Sequence, residues 1–209
     1  GVLTVTGAAT LADNAAITAT GGINFSSTID ADNASSNDRT LNMNSGTGST
    51  IAVTGNVGAS QALAGLTITQ SNGATFSGTV DTSDSSSGFI TITDTEDGSD
   101  ITFAGSVTTD TLNLATQGYD LIFNGGGTFT NAVTFDNTGT LNLGNAAGDT
   151  FNFNGGVTET TNGTVTLAST INSSNDAISF GAVTLGANTI IDTNASSTTG
   201  DLTLGVVTG

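Results

Sequence analysis

The chain of 209 residues contains no cysteine, proline, histidine, lysine or tryptophan, and its one basic residue is Arg39. Each absence removes a class of explanation. Without cysteine there are no disulfides and no thiolate metal sites. Without histidine, cysteine or lysine the common nucleophile–base pairs and Schiff-base chemistry cannot be assembled. The charge balance is extreme, with 18 acidic residues against one basic and a formal net charge of −17. A nucleic-acid partner is not expected, because binding one needs several cations to displace phosphate counterions. An anionic membrane surface is disfavoured for the same reason. No apolar run approaches the roughly 18–20 residues that cross a bilayer, and no charged leader precedes an apolar stretch, so membrane insertion is not expected.

What remains is a polar chain with a regular apolar pulse. Hydrophobic residues make up 35% of it. Disordered chains avoid Ile, Val and Phe; here those residues recur in alternation with Thr, Ser and Asn, so they can be buried together. A motif returns at Phe25-Ser-Ser-Thr-Ile29, Val53-Thr-Gly-Asn-Val57, Phe76-Ser-Gly-Thr-Val80, Phe103-Ala-Gly-Ser-Val107, Phe129-Thr-Asn-Ala-Val133, Phe153-Asn-Gly-Gly-Val157 and Phe180-Gly-Ala-Val183. The intervals are 28, 23, 27, 26, 24 and 27 residues. A period of that size marks a solenoid in which one supersecondary unit stacks on the next. One segment breaks the spacing: Leu121-Ile-Phe123-Asn-Gly-Gly resembles Phe153-Asn-Gly-Gly as much as Phe129 does, which reads as an insertion.

Strand alternation is clear at Ile101-Thr-Phe103, Phe151-Asn-Phe153 and Ile178-Ser-Phe180. An aliphatic strand follows, as in Leu41-Asn-Met43, Leu66-Thr-Ile68, Ile90-Thr-Ile92, Leu112-Asn-Leu114, Leu141-Asn-Leu143 and Val165-Thr-Leu167. No stretch holds an apolar period of 3.6 residues, so almost no helix is expected. The expected fold is all-β: a parallel β-helix (β-solenoid) of about seven to eight coils of 23–28 residues, with two or three strands per coil. Spaced about 4.8 Å apart, such coils make a rod of roughly 35–40 Å. The lack of proline agrees, since proline deletes a ladder bond in an interior coil. Phe and Val would stack inside. Outside, a single row of Thr4, Thr18, Asn42, Thr67, Thr91, Asn113, Asn142, Thr166 and Thr203 would hydrogen-bond along the axis. An antiparallel β-sandwich is the alternative, but it has no need of a near-constant repeat.

Residues 1–209 read as one solenoid domain. The chain opens on strand pattern (Gly1-Val-Leu-Thr-Val5) and stops on it (Gly205-Val-Val-Thr-Gly209), with no polar or helical cap at either end. The expectation is uncapped ends, and so a segment of a longer solenoid or a subunit stacking end to end.

No catalytic, cofactor-binding or metal-ligating residue is assigned, and no enzyme is expected. The densest acidic stretch, Asp94-Thr-Glu96-Asp97-Gly-Ser-Asp100 with Asp81 and Asp84 nearby, has oxygen ligands suited to Ca²⁺ but lacks EF-hand spacing. Asp30-Ala-Asp32-Asn33 is a second such loop. Solvated turns explain both; Ca²⁺ at these acidic loops is the one cofactor left open. Arg39 reads as a surface residue of the long 30–40 loop. The Asn-X-Ser/Thr sequons at Asn24, Asn33, Asn162, Asn172 and Asn194 are what this composition yields by chance. Thr-X-Thr pairs such as Thr67/Thr69 and Thr91/Thr93 raise an ice-binding face, but other coils break the array at Asn44, Ala115 and Gly144.

Runs such as Gly-Thr-Leu-Asn-Leu-Gly144, Asp-Thr-Phe-Asn-Phe-Asn-Gly-Gly-Val157 and Gly-Thr-Val-Thr-Leu167 resemble the Gly/Asn/Thr-rich repeats of large bacterial surface proteins. Filamentous-haemagglutinin-like adhesins and autotransporter passenger domains are the families concerned. The resemblance spans the chain and implies a right-handed β-helix, an extracellular or cell-surface location and a role in a fibre, sheath or long adhesin. The expected partner is a further copy or a continuation of the same solenoid. The alternative is a module that binds a glycan or a host surface through its faces and loops. Tyr119 is the one aromatic that reading would use, and a polysaccharide-cleaving enzyme is a third possibility.

Overall fold

The computed structural model describes residues 1–32, 39–84, 87–160, 163–194 and 200–209. Its described residues form strands and turns, and no helix among them is long and apolar enough to cross a membrane. Every paired strand runs parallel to its neighbours, and successive neighbours come from successive turns of the chain. The fold is a parallel β-solenoid with three faces.

The first face is one sheet of ten strands, from Leu3–Val5 and Ile23–Phe25 through Ile51–Val53, Ala74–Phe76, Asp100–Phe103, Asp120–Phe123, Leu141–Leu143, Val165–Leu167 and Val183–Leu185 to Val207–Thr208. We number the coils 1 to 9 by these strands, and Val207–Thr208 begins a tenth. The second face starts with Ala9–Leu11 and Ile29–Ala31, passes through single bridges at Val57, and continues from Val80–Asp81 to Ile190–Asp192. The third face has a five-stranded sheet over coils 1 to 5 and a four-stranded sheet over coils 6 to 9. They meet where Thr111–Leu114 packs on Val133–Phe135. Ten strands at about 4.8 Å give a rod of about 43 Å.

Alternation sets which residues point inward. Ile101 and Phe103 on the first face, Val107 on the second and Leu112 on the third are buried, with Thr102 and Asn113 turned outward. The core is continuous from coil 2 to coil 9, and its middle is aromatic. Phe76, Phe103 and Phe123 stack with ring centroids 5.1 and 5.0 Å apart, and Phe129 stacks on Phe153 at 5.0 Å. Phe123 meets Phe129 edge-on at 5.9 Å, joining the two columns across the interior.

The register corrects the single phenylalanine ladder that the sequence spacing suggests. Phe25, Val53, Phe76 and Phe103 do lie one above another, but Phe103 is followed by Phe123 and then by Leu143, Leu167 and Leu185. Phe129 and Phe153 belong to the second face, and Phe180 to the third. Leu121-Ile-Phe123 is thus no insertion; it is the next rung. The cause is uneven coil length. From Leu3 to Ile23, and again from Ile101 to Leu121 and Leu121 to Leu141, a coil takes 20 residues, whereas Ile23 to Ile51 takes 28. The difference lies at the corners, chiefly between the second and third faces. Residues 58–64 make that corner in coil 3, while Asp110 alone makes it in coil 5.

Neither end of the rod is covered among the described residues. The inward Leu3, Val5, Leu11 and Ile17 of coil 1 are half-buried. At the other end Leu185, Leu202 and Val207 are 38%, 48% and 48% exposed.

Candidate functional site

The acidic stretch of residues 94–100 forms the corner between the third face of coil 4 and the first face of coil 5. Its carboxylates cap neighbouring coils. Gln70 Nε2 donates to Asp94 Oδ2 (3.0 Å), and the Gly118 amide donates to Asp97 Oδ1 (3.0 Å). Asp100 stands in register with Asp120, whose Oδ1 accepts the Thr140 amide at 2.6 Å. Asp81 and Asp84 lie at a different corner, where Asp81 Oδ1 accepts from the amide and hydroxyl of Ser83 and Asp84 Oδ1 accepts Gln61 Nε2 (2.7 Å). Acids close in sequence are therefore parted by the triangular section. Among the described residues no three carboxylates converge where a metal ion could sit.

At the second candidate loop, Asp30 Oδ1 accepts the amides of Ser60 (2.8 Å) and Gln61 (3.4 Å); Asn33 lies outside the described residues. Asp32 is held by Arg39 in a bidentate pair, Nε to Oδ1 at 2.9 Å and the terminal nitrogen to Oδ2 at 3.1 Å. That hydrogen bond, with the guanidinium charge behind it, lowers the Asp32 carboxyl below its ordinary range. The Arg39 side chain is 22% exposed, so the arginine expected at the surface of its loop is a half-buried clamp that ties Arg39 back to Asp32. Beside it Thr10, Asp30, Ala31, Asp32, Ser60 and Gln61 line an open cleft of about 490 Å³. Its walls offer carboxylates, hydroxyls and an amide, and no aromatic surface.

Tyr119 is also not where a ligand-stacking role requires it. The side chain is fully buried, and its hydroxyl donates to the Ala115 carbonyl at 3.1 Å. Burial, helped by the Asp136 charge, pushes that hydroxyl above its ordinary value against the opposing hydrogen bond. The Asn137 amide donates to the Tyr119 and Thr140 carbonyls, fixing the turn around the ring.

The outward polar positions form several rows rather than one. On the first face the row reads Thr4, Asn24, Ala52, Thr75, Thr102, Ile122, Asn142, Thr166, Thr184 and Thr208. On the third face Asn42, Thr67, Thr91 and Asn113 make another, while Thr18 stands beside Asn44. Axial bonds form in places: Asn172 Nδ2 to Asn152 Oδ1 at 3.0 Å, and Asn113 Nδ2 to Thr91 Oγ1 at 3.3 Å. Ala52 and Ile122 interrupt the regular hydroxyl array that ice binding would need.

Two devices escape a sequence reading. Inside the corners, hydroxyls pair with one another, Ser71 with Thr95 (3.1 Å) and Thr82 with Thr109 (2.8 Å), so no buried side-chain polar atom among the described residues lacks a partner. The other is a column of Gly78, Gly105 and Gly125 at the turn between the first and second faces, where backbones of successive coils touch. A glycine two residues past the strand ends at Val53, Phe76, Phe103 and Phe123 was the available signal. No protein-family profile, curated protein or solved structure matches the chain.

Proposed function

We propose that this chain is a structural segment of an extracellular or cell-surface fibre, sheath or long adhesin, built by coil-on-coil stacking of a β-solenoid. The observation that carries the reading is the apolar core that runs unbroken from coil 2 to coil 9 between three parallel faces, the first of them one continuous ten-stranded sheet. Each added coil repeats the same backbone ladder and buries the same kind of side chains, so length adds stiffness without a new design. The acidic, hydroxyl-rich exterior keeps like rods apart unless cations screen them. At the two ends, exposed Leu and Val side chains and unpaired strand edges are surfaces that a further coil would cover, from this chain or another copy. Antibody labelling of intact source cells, with electron microscopy of the shed material, tests the proposal. Surface label on unbranched filaments is the expected result; label confined to lysed cells would overturn it.

A recognition role within the same rod is the second reading, favoured by the long corner of coil 3, whose Ser60 and Gln61 line the cleft beside Asp30. Turns on a rigid scaffold are where binding residues concentrate. Replacing residues 58–64 by a three-residue turn should abolish adhesion to a glycan or cell surface if this reading holds; no adhesion by the native chain, or adhesion that survives the replacement, would contradict it.

A further inference from the structure

We propose that the Arg39–Thr40 peptide bond is a latent processing site, cut by an arginine-directed serine protease only when coil 2 opens. Arg39 is the sole Lys or Arg in the chain, so a protease of this specificity has one bond to address. Such an enzyme needs three things from its substrate: a free guanidinium for the carboxylate at the base of its specificity pocket, an accessible carbonyl, and an extended backbone able to pair with its own cleft. All three are already engaged within the fold. Asp32 holds the guanidinium at 2.9 and 3.1 Å. The Arg39 carbonyl accepts the Ala64 amide at 2.9 Å, from the coil above. The Thr40 amide donates to Asn14 Oδ1 at 2.9 Å, from the coil below. Thr40 also opens the third-face strand of coil 2, paired on one side with the strand at Ala15–Thr18 and on the other with Gly65–Gln70.

The bond is therefore stitched to both neighbouring coils. Cleavage adds water across it, leaving a carboxylate on Arg39 and an ammonium on Thr40, and divides the chain into residues 1–39 and 40–209. Because the fold must open first, the rate follows the population of the opened state when reclosing is fast.

The test is a time course of trypsin digestion of the whole chain, followed by mass spectrometry. The native chain should stay intact under conditions that cut the urea-unfolded chain completely, and prolonged digestion should give only the two named fragments. Asp32→Asn should be cut about two- to fivefold faster, from the usual worth of a half-exposed ion pair. Asn14→Ala should be cut about two- to tenfold faster, from the loss of one hydrogen bond. Thr128→Ala, outward on the second face of coil 6, should match the native rate, and circular dichroism should confirm that each variant is folded. Native cleavage as fast as that of the unfolded chain would overturn the proposal. So would Asp32→Asn and Asn14→Ala rates equal to that of Thr128→Ala.

Discussion

A methyl group placed on Gly105 would meet the backbone carbonyl carbon of Gly78 at 2.5 Å, and the same contact recurs between Gly125 and Gly105. Backbone cannot retreat as a flexible side chain can, so Gly105→Ala should cost about 1–3 kcal/mol, the usual range for overpacking. Gly48→Ala, where the added group meets nothing within 4 Å, should stay within about 0.5 kcal/mol. Urea denaturation of the two variants checks both. Asp32 supplies a pH prediction. Arg39 depresses the folded-state pKa of Asp32 below the unfolded value, so the pair stabilises the fold above the unfolded pKa, near 3.9. That contribution is lost as pH falls through the depressed folded value. The melting difference between the native chain and Asp32→Asn should thus be present at pH 7 and vanish at strongly acidic pH; a difference that grew on acidification would reverse the assignment. Alternation made the inward residues legible in the sequence. It could not reveal the Asp32–Arg39 clamp, which joins the two ends of a loop, nor the burial of Tyr119, which follows from how coils 5 and 6 close around it.

A strand's face, unlike its inward side, depends on how many residues each corner uses. Counting from Phe103 by the average interval arrives at Phe129, but coil 5 takes 20 residues and its true successor is Phe123. Cysteine pairs separate the two registers, because a disulfide tolerates Cα separations of about 4.4–6.8 Å. Thr102→Cys with Ile122→Cys, in register on the first face, should cross-link under mild oxidation; Thr102→Cys with Thr128→Cys should not. The aromatic columns predict where the fold resists most. Phe103 is fully buried between Phe76 and Phe123, and Phe103→Ala should cost about 3–5 kcal/mol by chemical denaturation. The parallel β-solenoid itself was legible from the repeat, because a short period with alternating apolar residues and no proline admits few other folds. The division into three faces was not, since Leu141–Leu143 and Leu112–Leu114 read alike and lie on different sides.

Across the whole molecule, burial grades from the middle outward. Coils 4 to 7 hold the paired rings, while the inward residues of coil 1, and those of coil 9 apart from Val183, are only partly covered. Solenoid stability is nearly a sum of each coil and its neighbour interfaces, so amide exchange should be slowest in the first-face strands at Ile101–Phe103 and Leu121–Phe123 and fastest at Leu3–Val5 and Val207–Thr208. Adding a further coil at either end should bring the end strands toward the protection of the middle. The central claim, that this chain is a rod of coils stacked along one axis, is tested most directly by cryo-electron microscopy of the purified chain. The account predicts rods of constant width with a layer line near 4.8 Å along the long axis. Compact particles, or strands running along the particle's length with the 4.8 Å spacing across it, would contradict the account.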